Sequence, residues 1–424
     1  MSFLKRSQKI LILSILFLLP FYFIKFKYSW VSLNLVEILI IILFVFWIFN
    51  KKYIIHNTQY AIPTVLIIIG LILSVLINKN YYVGLGILKG WFLLPIIFAI
   101  IFYDSLGKNE KLLDWSLAAL FFGGALVSME GIYYWFSGLL TFDKRLAIFY
   151  DSPNQLAMYL APVFLIGLKL SFEELQKVRL WGILKRFDLE GLEDLSDKGK
   201  VEPWKASVTI FGILLILLNL YLTKSYGAWL AIGLTLITIF WLKYRKIWPK
   251  RYFSIILIIF ITFVTVAGFS KFENIKNLSE RSSLASRVMI WKSAVLMIKS
   301  NPLLGIGPGN FQSKYLEYQK YFPPYLEWAV PQPHNLFFAF WLEAGIFGLT
   351  GFLWLMILFF RDNKRAIKNN RSYGTLCLAI ILYFLVHGLI DTTYWRNDIS
   401  VIFWIIISIN FYLARKSLFF QKST

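Results

Sequence analysis

The stretch "VPQPHNLFFAFWLEAGIFGLTGF", Val330 to Phe352, places a histidine where a polar loop meets an apolar helix. His334 is one of only three histidines in the chain. A neutral imidazole, with an ordinary pKa near 6.5, can accept a proton at physiological pH. Its type and place therefore suggest a base at a membrane surface, with Asn335 beside it. The same two residues also suit the bare N-terminus of a membrane helix. Upstream, "LASRVMIWKSAVLMIKSNPLLGIGPGNF" reads as a helix, a stop and a glycine-rich turn. Arg287, Trp291, Ala294 and Ile298 recur at helical spacing, Ser283 or Ser286 can serve as the N-cap, and Asn301-Pro302 ends the helix. A guanidinium grips phosphate through two parallel charge-assisted hydrogen bonds. Arg287 thus suits either a lipid phosphate beneath an amphipathic helix or the phosphate of a substrate. "GIGPGN" is no P-loop, because no strand precedes it and no Gly-Lys-Ser/Thr ending follows.

Other polar residues fall where they could join these two. Arg145, Asp151 and Asn154 lie in "DKRLAIFYDSPNQLA", and Lys224, Ser225 and Tyr226 form a tight turn in "LTKSYGAWLA". His387 and Asp391, four apart, are expected on one helix face near its outer end, followed by Arg396. They could orient the base or fix helix packing. Glu130 and Glu343 sit deeper in apolar runs. On an ideal helix Glu343 is about half a turn out of phase with His334, so it need not face the same site. The segment "FQSKYLEYQKYFPPYLEWAVPQPHN" offers aromatics and amides that could stack on sugar rings, or form an interfacial aromatic belt.

What must position these residues is a membrane scaffold. The 424 residues are 58% hydrophobic, 19% aromatic and only 16% charged, whereas soluble domains carry about 25% charged residues. About twelve runs approach the ~20 apolar residues that cross a bilayer: 9–25, 31–49, 60–77, 83–103, 113–136, 155–171, 207–222, 226–242, 252–269, 334–360, 372–390 and 398–414. They are apolar on all faces with little strand-like alternation, so the fold class expected is all-α and polytopic, one membrane domain over 1–424. The first run lacks a cleavage site and reads as a retained helix. The net charge of +21 is concentrated in short segments such as "KYRKIWPKR" and "RDNKRAIKNNR". With alternating helices and both termini inside, these segments are cytoplasmic, as the positive-inside pattern requires. The basic excess is thereby a topology signal, and no nucleic-acid partner is expected. Residues 172–206 become a charged cytoplasmic loop, and 270–333 the large extracytoplasmic loop. The single cysteine, Cys377, permits no intrachain disulfide and no cysteine-based metal site.

In its C-terminal half the sequence resembles the O-antigen ligase and polymerase superfamily. The resemblance rests on "SRVMIWKSAVLMIKSNPLLGIGPGNF", "HNLFFAFWLEAGIFGL" and "HGLIDTTYW", with "RLAIFYDSPNQLAMYL" and "SYGAWLA" in the middle, spanning Arg145 to Trp404. It implies a glycosyltransferase of the cytoplasmic membrane that takes a glycan from an undecaprenyl-diphosphate carrier. The acceptor it implies is a hydroxyl of a lipid core sugar, a growing polymer or a protein. It assigns the donor diphosphate to Arg287 and acceptor activation to His334. The family often has Ser-Arg-Gly where this chain has Ser225-Tyr226-Gly227, so a second phosphate-binding arginine is missing, and Lys224 or Arg145 could supply its charge.

The residues fit such chemistry apart from the family name. A sugar on a lipid diphosphate is already activated, so neither a nucleotide nor a cofactor is expected. No Asp-x-Asp pair stands on an outer loop, so the reaction is expected to be metal-independent, and single displacement would invert the anomeric centre. The main rival class is a transporter of lipid-linked glycans, which would place its polar groups near the bilayer midplane. A third is a non-catalytic scaffold for envelope synthesis.

Overall fold

The computed structural model describes residues 2–29, 31–49, 59–186, 203–244, 283–323, 328 and 330–420. The apolar run 252–269, and parts of the two long loops, lie outside these. In chain order the helices are α1 (Ser2–Phe17), α2 (Leu35–Phe49), α3 (Ala61–Asn78), α4 (Tyr81–Ile87), α5 (Leu94–Leu106), α6 (Lys111–Phe136), α7 (Pro153–Arg186), α8 (Pro203–Leu222) and α9 (Tyr226–Tyr244). They continue with α10 (Ser283–Ser300), α11 (Phe311–Tyr318), α12 (Leu336–Asn369), α13 (Arg371–His387) and α14 (Asn397–Phe420). A π-helical turn, Leu88–Leu93, joins α4 to α5. In hydrocarbon every backbone polar group needs an internal partner, and a helix supplies one within the segment. Among the described residues, eight segments are long and apolar enough to cross a bilayer. The fold is therefore helical and multi-pass, with fewer such spans described than the roughly twelve apolar runs counted in the sequence.

Two expectations need correction. The first apolar run, 9–25, is expected to be one helix, yet α1 ends at Phe17 and a short 3-10 helix, Leu19–Phe23, follows it. The chain then forms a two-stranded antiparallel ribbon, Lys25–Tyr28 paired with Val31–Asn34. Local chemistry accounts for it. Asn34 and Glu37 form a capping box at the start of α2, each side chain taking the other's backbone N–H at 2.9 and 3.1 Å. Lys89 then ties the ribbon down, donating to the Ser32 carbonyl at 2.6 Å and to Glu37 at 3.0 Å. The second correction concerns α10. It begins at Ser283, so Ser286 lies inside the helix and does not cap it. Its end at Ser300, before Asn301-Pro302, is as expected.

The chain divides into two compact units, one of residues 1–11, 21–109 and 226–424, the other of 12–20 and 110–225. In the larger unit α12 is central and packs on α3, α13 and α14. It is not one continuous helix. Gly345 has φ +65° and ψ −168°, a conformation essentially reserved for glycine. The bond that would join the Leu342 carbonyl to the Ile346 N–H is opened, and the segment after α10 takes both halves. Ile306 N–H donates to the Leu342 carbonyl at 2.7 Å, and Ile346 N–H donates to the Leu303 carbonyl at 2.9 Å. A Cβ at Gly305 would overlap the Leu342 carbonyl, and one at Gly345 the Leu303 carbonyl. The glycine-rich turn is thus the plug of a helix break. In the smaller unit α6, α7 and α8 pack together, and the Arg145 loop joins α8 where Leu146 N–H meets the Leu222 carbonyl at 3.1 Å.

Candidate active site

The larger unit brings together residues more than a hundred positions apart. His334 precedes α12 and is not part of it: Asn335 is the N-cap, its side-chain oxygen taking the N–H of Phe337 and of Phe338, each at 3.0 Å. Asn335 also donates to the Leu389 carbonyl at 2.9 Å, and Leu336 N–H to the Gly388 carbonyl at 2.7 Å. The mouth of α12 is thereby stitched to the turn after α13. His334 itself is left-handed, with φ +47°, a conformation that costs a non-glycine residue about 1–3 kcal/mol. Its surroundings hold it there, because the Trp291 indole donates to its carbonyl at 3.1 Å.

That turn carries the acid. His387 and Asp391 were expected on one helix face, but α13 ends at His387. The chain bends back on itself, with Asp391 N–H donating to the His387 carbonyl at 2.9 Å. The two side chains take different hydrogen-bond partners. His387 is buried, with Tyr383 OH 2.8 Å from its Nδ1 and Gly227 against its ring. Asp391 instead meets His334, its Oδ1 lying 3.0 Å from Nδ1 of the ring. The same oxygen accepts Thr392 N–H at 2.9 Å. With Nδ1–H donating to Asp391, the lone pair of His334 lies on Nε2, and the ring is 32% exposed while the acid is 5% exposed.

Arg287 completes the cluster from α10. Its Nε donates to the Ile390 carbonyl at 2.8 Å, and a terminal nitrogen lies 3.7 Å from Asp391 Oδ2. Trp291, one turn along α10, is the residue that holds the His334 carbonyl, so a single helix face positions both functional groups. α10 is held in place by a core that includes Met289, Ile290, Met297 and Phe311. Burial alone would raise the Asp391 carboxyl. The His334 ring, the bond to it and the Arg287 charge outweigh burial and hold Asp391 well below the usual carboxylate range.

Residues 211–353 match the family model of the O-antigen ligase. This supports an O-antigen ligase or polymerase type of membrane protein, as the sequence motifs suggested. The match takes in Tyr226, Arg287, Trp291, His334, Asn335 and Glu343, and ends before Asp391. No curated protein matches the chain.

The remaining candidates have separate places. Tyr226 opens α9 and is about half exposed, and its neighbour Gly227 lies against Ile390 and His387. The position of the missing family arginine is therefore beside the turn that bears Asp391. Arg145 and Asn154 belong to the smaller unit. There Arg145 Nε donates to the Thr223 carbonyl at 2.7 Å, a terminal nitrogen donates to Asn154 Oδ1 at 2.8 Å, and Asp143 lies 3.5 Å away. Lys224 follows Thr223 in the left-handed conformation, with φ +50°. Glu343 is buried in α12; since His334 stands outside that helix, the ideal-helix phase between them does not apply. The Ile390 carbonyl and the Trp291–His334 bond escaped sequence reasoning, because backbone acceptors carry no residue signature.

Proposed function

We propose that the chain is a membrane glycosyltransferase that moves a glycan from undecaprenyl diphosphate to a hydroxyl acceptor on the extracytoplasmic face of the cytoplasmic membrane. The observation that carries this reading is the His334–Asp391 pair beside Arg287. A histidine oriented through Nδ1 by a buried carboxylate presents Nε2 as a general base. In the proposed step Nε2 takes the acceptor's hydroxyl proton. The acceptor oxygen then attacks the anomeric carbon, the bond from that carbon to the diphosphate oxygen breaks, and its electron pair leaves with the diphosphate. Asp391 stabilises the imidazolium that forms. Arg287 meets the charge growing on the diphosphate, where preorganised donors are most effective. Its Nε is anchored by Ile390, which aims the guanidinium before the donor arrives. One displacement inverts the anomeric centre, and with Arg287 meeting the leaving charge the proposed step uses no metal.

A carrier would use a broken membrane helix to expose backbone groups to an ion or solute. Here the break at Gly345 is filled by the chain's own Leu303–Gly307 segment, which favours the enzyme. The test is purified protein in lipid nanodiscs with a polyprenyl-diphosphate glycan and an acceptor. Transfer should proceed in EDTA, without nucleotide and without an ion gradient. Movement of the glycan across vesicle membranes with no new glycosidic bond would establish the transporter instead. In a deletion strain, shortened chains would identify a polymerase, and intact polymer left on its carrier a ligase.

A further inference from the structure

The end of α12 far from His334 carries a second cluster of charge. From Leu336 to Phe360 that helix holds no charged residue but Glu343. It rises about 37 Å over this stretch, more than the ~30 Å of a bilayer's hydrocarbon. Arg361 is the first charged residue beyond, so it stands at the membrane surface opposite His334. Arg415 holds the same place on α14, as the first charged residue after Asp398. A terminal nitrogen of Arg361 donates to Gln59 Oε1 at 3.0 Å, and one of Arg415 to the same oxygen at 3.5 Å. Two guanidiniums from different helices thus meet at one neutral acceptor.

Their compensation is unequal. Asp362 Oδ1 takes Arg361 Nε at 3.0 Å, while its Oδ2 takes Tyr60 OH at 3.2 Å. Arg415 has no acidic partner among the described residues. Its guanidinium lies over the Phe411 ring at 4.5 Å, and Tyr60 meets the same ring edge-on, with centroids 4.9 Å apart. Beside them the buried Asn363 amide donates to Asn410 Oδ1 at 2.8 Å, and Asn410 to the Phe359 carbonyl at 3.1 Å. These bonds fasten α12 to α14, so the guanidiniums are brought together by the scaffold. The exposed face of α12 continues with Lys364, Arg365 and Lys368, three, four and seven residues on and so beside Arg361.

We propose that Arg361 and Arg415 form a binding site for the phosphate of an anionic phospholipid headgroup. A phosphodiester set between the guanidiniums accepts charge-assisted hydrogen bonds from both. It also supplies the negative charge that Arg415 lacks. The basic face of α12 favours a lipid of net negative charge over a zwitterionic one, whose cation it repels. Basic pockets between helix ends suit such headgroups.

The test is native mass spectrometry of the full-length, delipidated protein, titrated with phosphatidylglycerol or with phosphatidylcholine of the same chains. Wild type should bind one phosphatidylglycerol more tightly than further copies, and phosphatidylcholine at least tenfold more weakly. Arg415→Gln leaves Asp362 its Arg361 partner and should weaken the tight site about ten- to a hundredfold, as loss of charge-assisted hydrogen bonds does. Lys368→Gln removes one charge from the same face without touching the pair, and should cost about fivefold or less, the share of a single surface cation. Equal losses in the two variants would overturn the proposal, because the basic face would then act as a diffuse field. Equal binding of the two lipids by wild type would overturn it whether or not a variant folds. Inorganic phosphate should leave the bound lipid in place; a tight site emptied by it would belong to a soluble anion and would overturn the lipid assignment.

Discussion

Two arginines, one in each compact unit, are held in similar ways and surrounded differently. Arg287 and Arg145 each donate Nε to a backbone carbonyl, of Ile390 and Thr223 respectively. Around Arg145 stand the Asn154 amide and the partly exposed Asp143. Around Arg287 stands a buried carboxylate that is also bonded to an imidazole. The first arrangement, as described, holds a cation in place. The second couples a cation to a group that can move a proton. An anchored guanidinium is thus no signature of chemistry by itself; the partner of its carboxylate decides.

Breaking the comparison starts at the imidazole. His334→Ala should lower transfer about 10²–10⁴-fold while the protein still inserts into membranes, and near-normal transfer would remove the base from the account. Arg287→Lys should lower kcat about 10²-fold or more, because an ammonium cannot keep the Ile390 bond and a forked contact to phosphate together. If it matches wild type in a steady-state transfer assay, Arg287 serves only as a lipid anchor. Arg145→Ala and Lys224→Ala should each cost less in the same assay, about tenfold or under, because neither is joined to the His334–Asp391 pair. A loss as deep as that of Arg287→Lys would erase the distinction between the two arginines.

The smallest effect expected is on stability. The folded state holds the Asp391 carboxyl below its ordinary value of 3.8. A carboxylate depressed in this way contributes stability that is present above the unfolded pKa and is lost as pH falls through the folded one. The wild-type melting temperature should therefore drop as pH falls below about 4, and Asp391→Asn should show a shallower drop across the same range. Parallel curves would mean that the carboxylate contributes no stability through its partners.

Much of this was legible in the sequence. Apolar runs of spanning length announced the membrane helices, and Asn301-Pro302 marked the end of α10. His334 and Arg287 stood out because an imidazole and a guanidinium at the mouths of helices need a reason. Asp391 was visible as an acid that could orient the base or fix packing, but its direct bond to His334 Nδ1 was not. The spacing 387 to 391 pointed to a shared helix face, whereas the helix ends at His387 and Asp391 takes His334 as its hydrogen-bond partner. The break in α12 was hidden for a similar reason: "WLEAGIFGL" reads as uninterrupted helix, and only the docking of Leu303–Gly307 shows why Gly345 needs a positive φ. Those features depend on contacts between distant segments, which no local pattern records.

The central claim, that Asp391 holds the Nδ1–H of His334 so that Nε2 is the base, can be tested by nitrogen NMR. The protein has three histidines, so ¹⁵N-labelled histidine gives few signals, and His334→Gln assigns the one of interest. The account predicts, at a pH where the ring is neutral, a His334 ring protonated on Nδ1 and unprotonated on Nε2, with the Nδ1 signal shifting in Asp391→Asn. A His334 ring protonated on Nε2, unmoved by loss of the Asp391 charge, would contradict it.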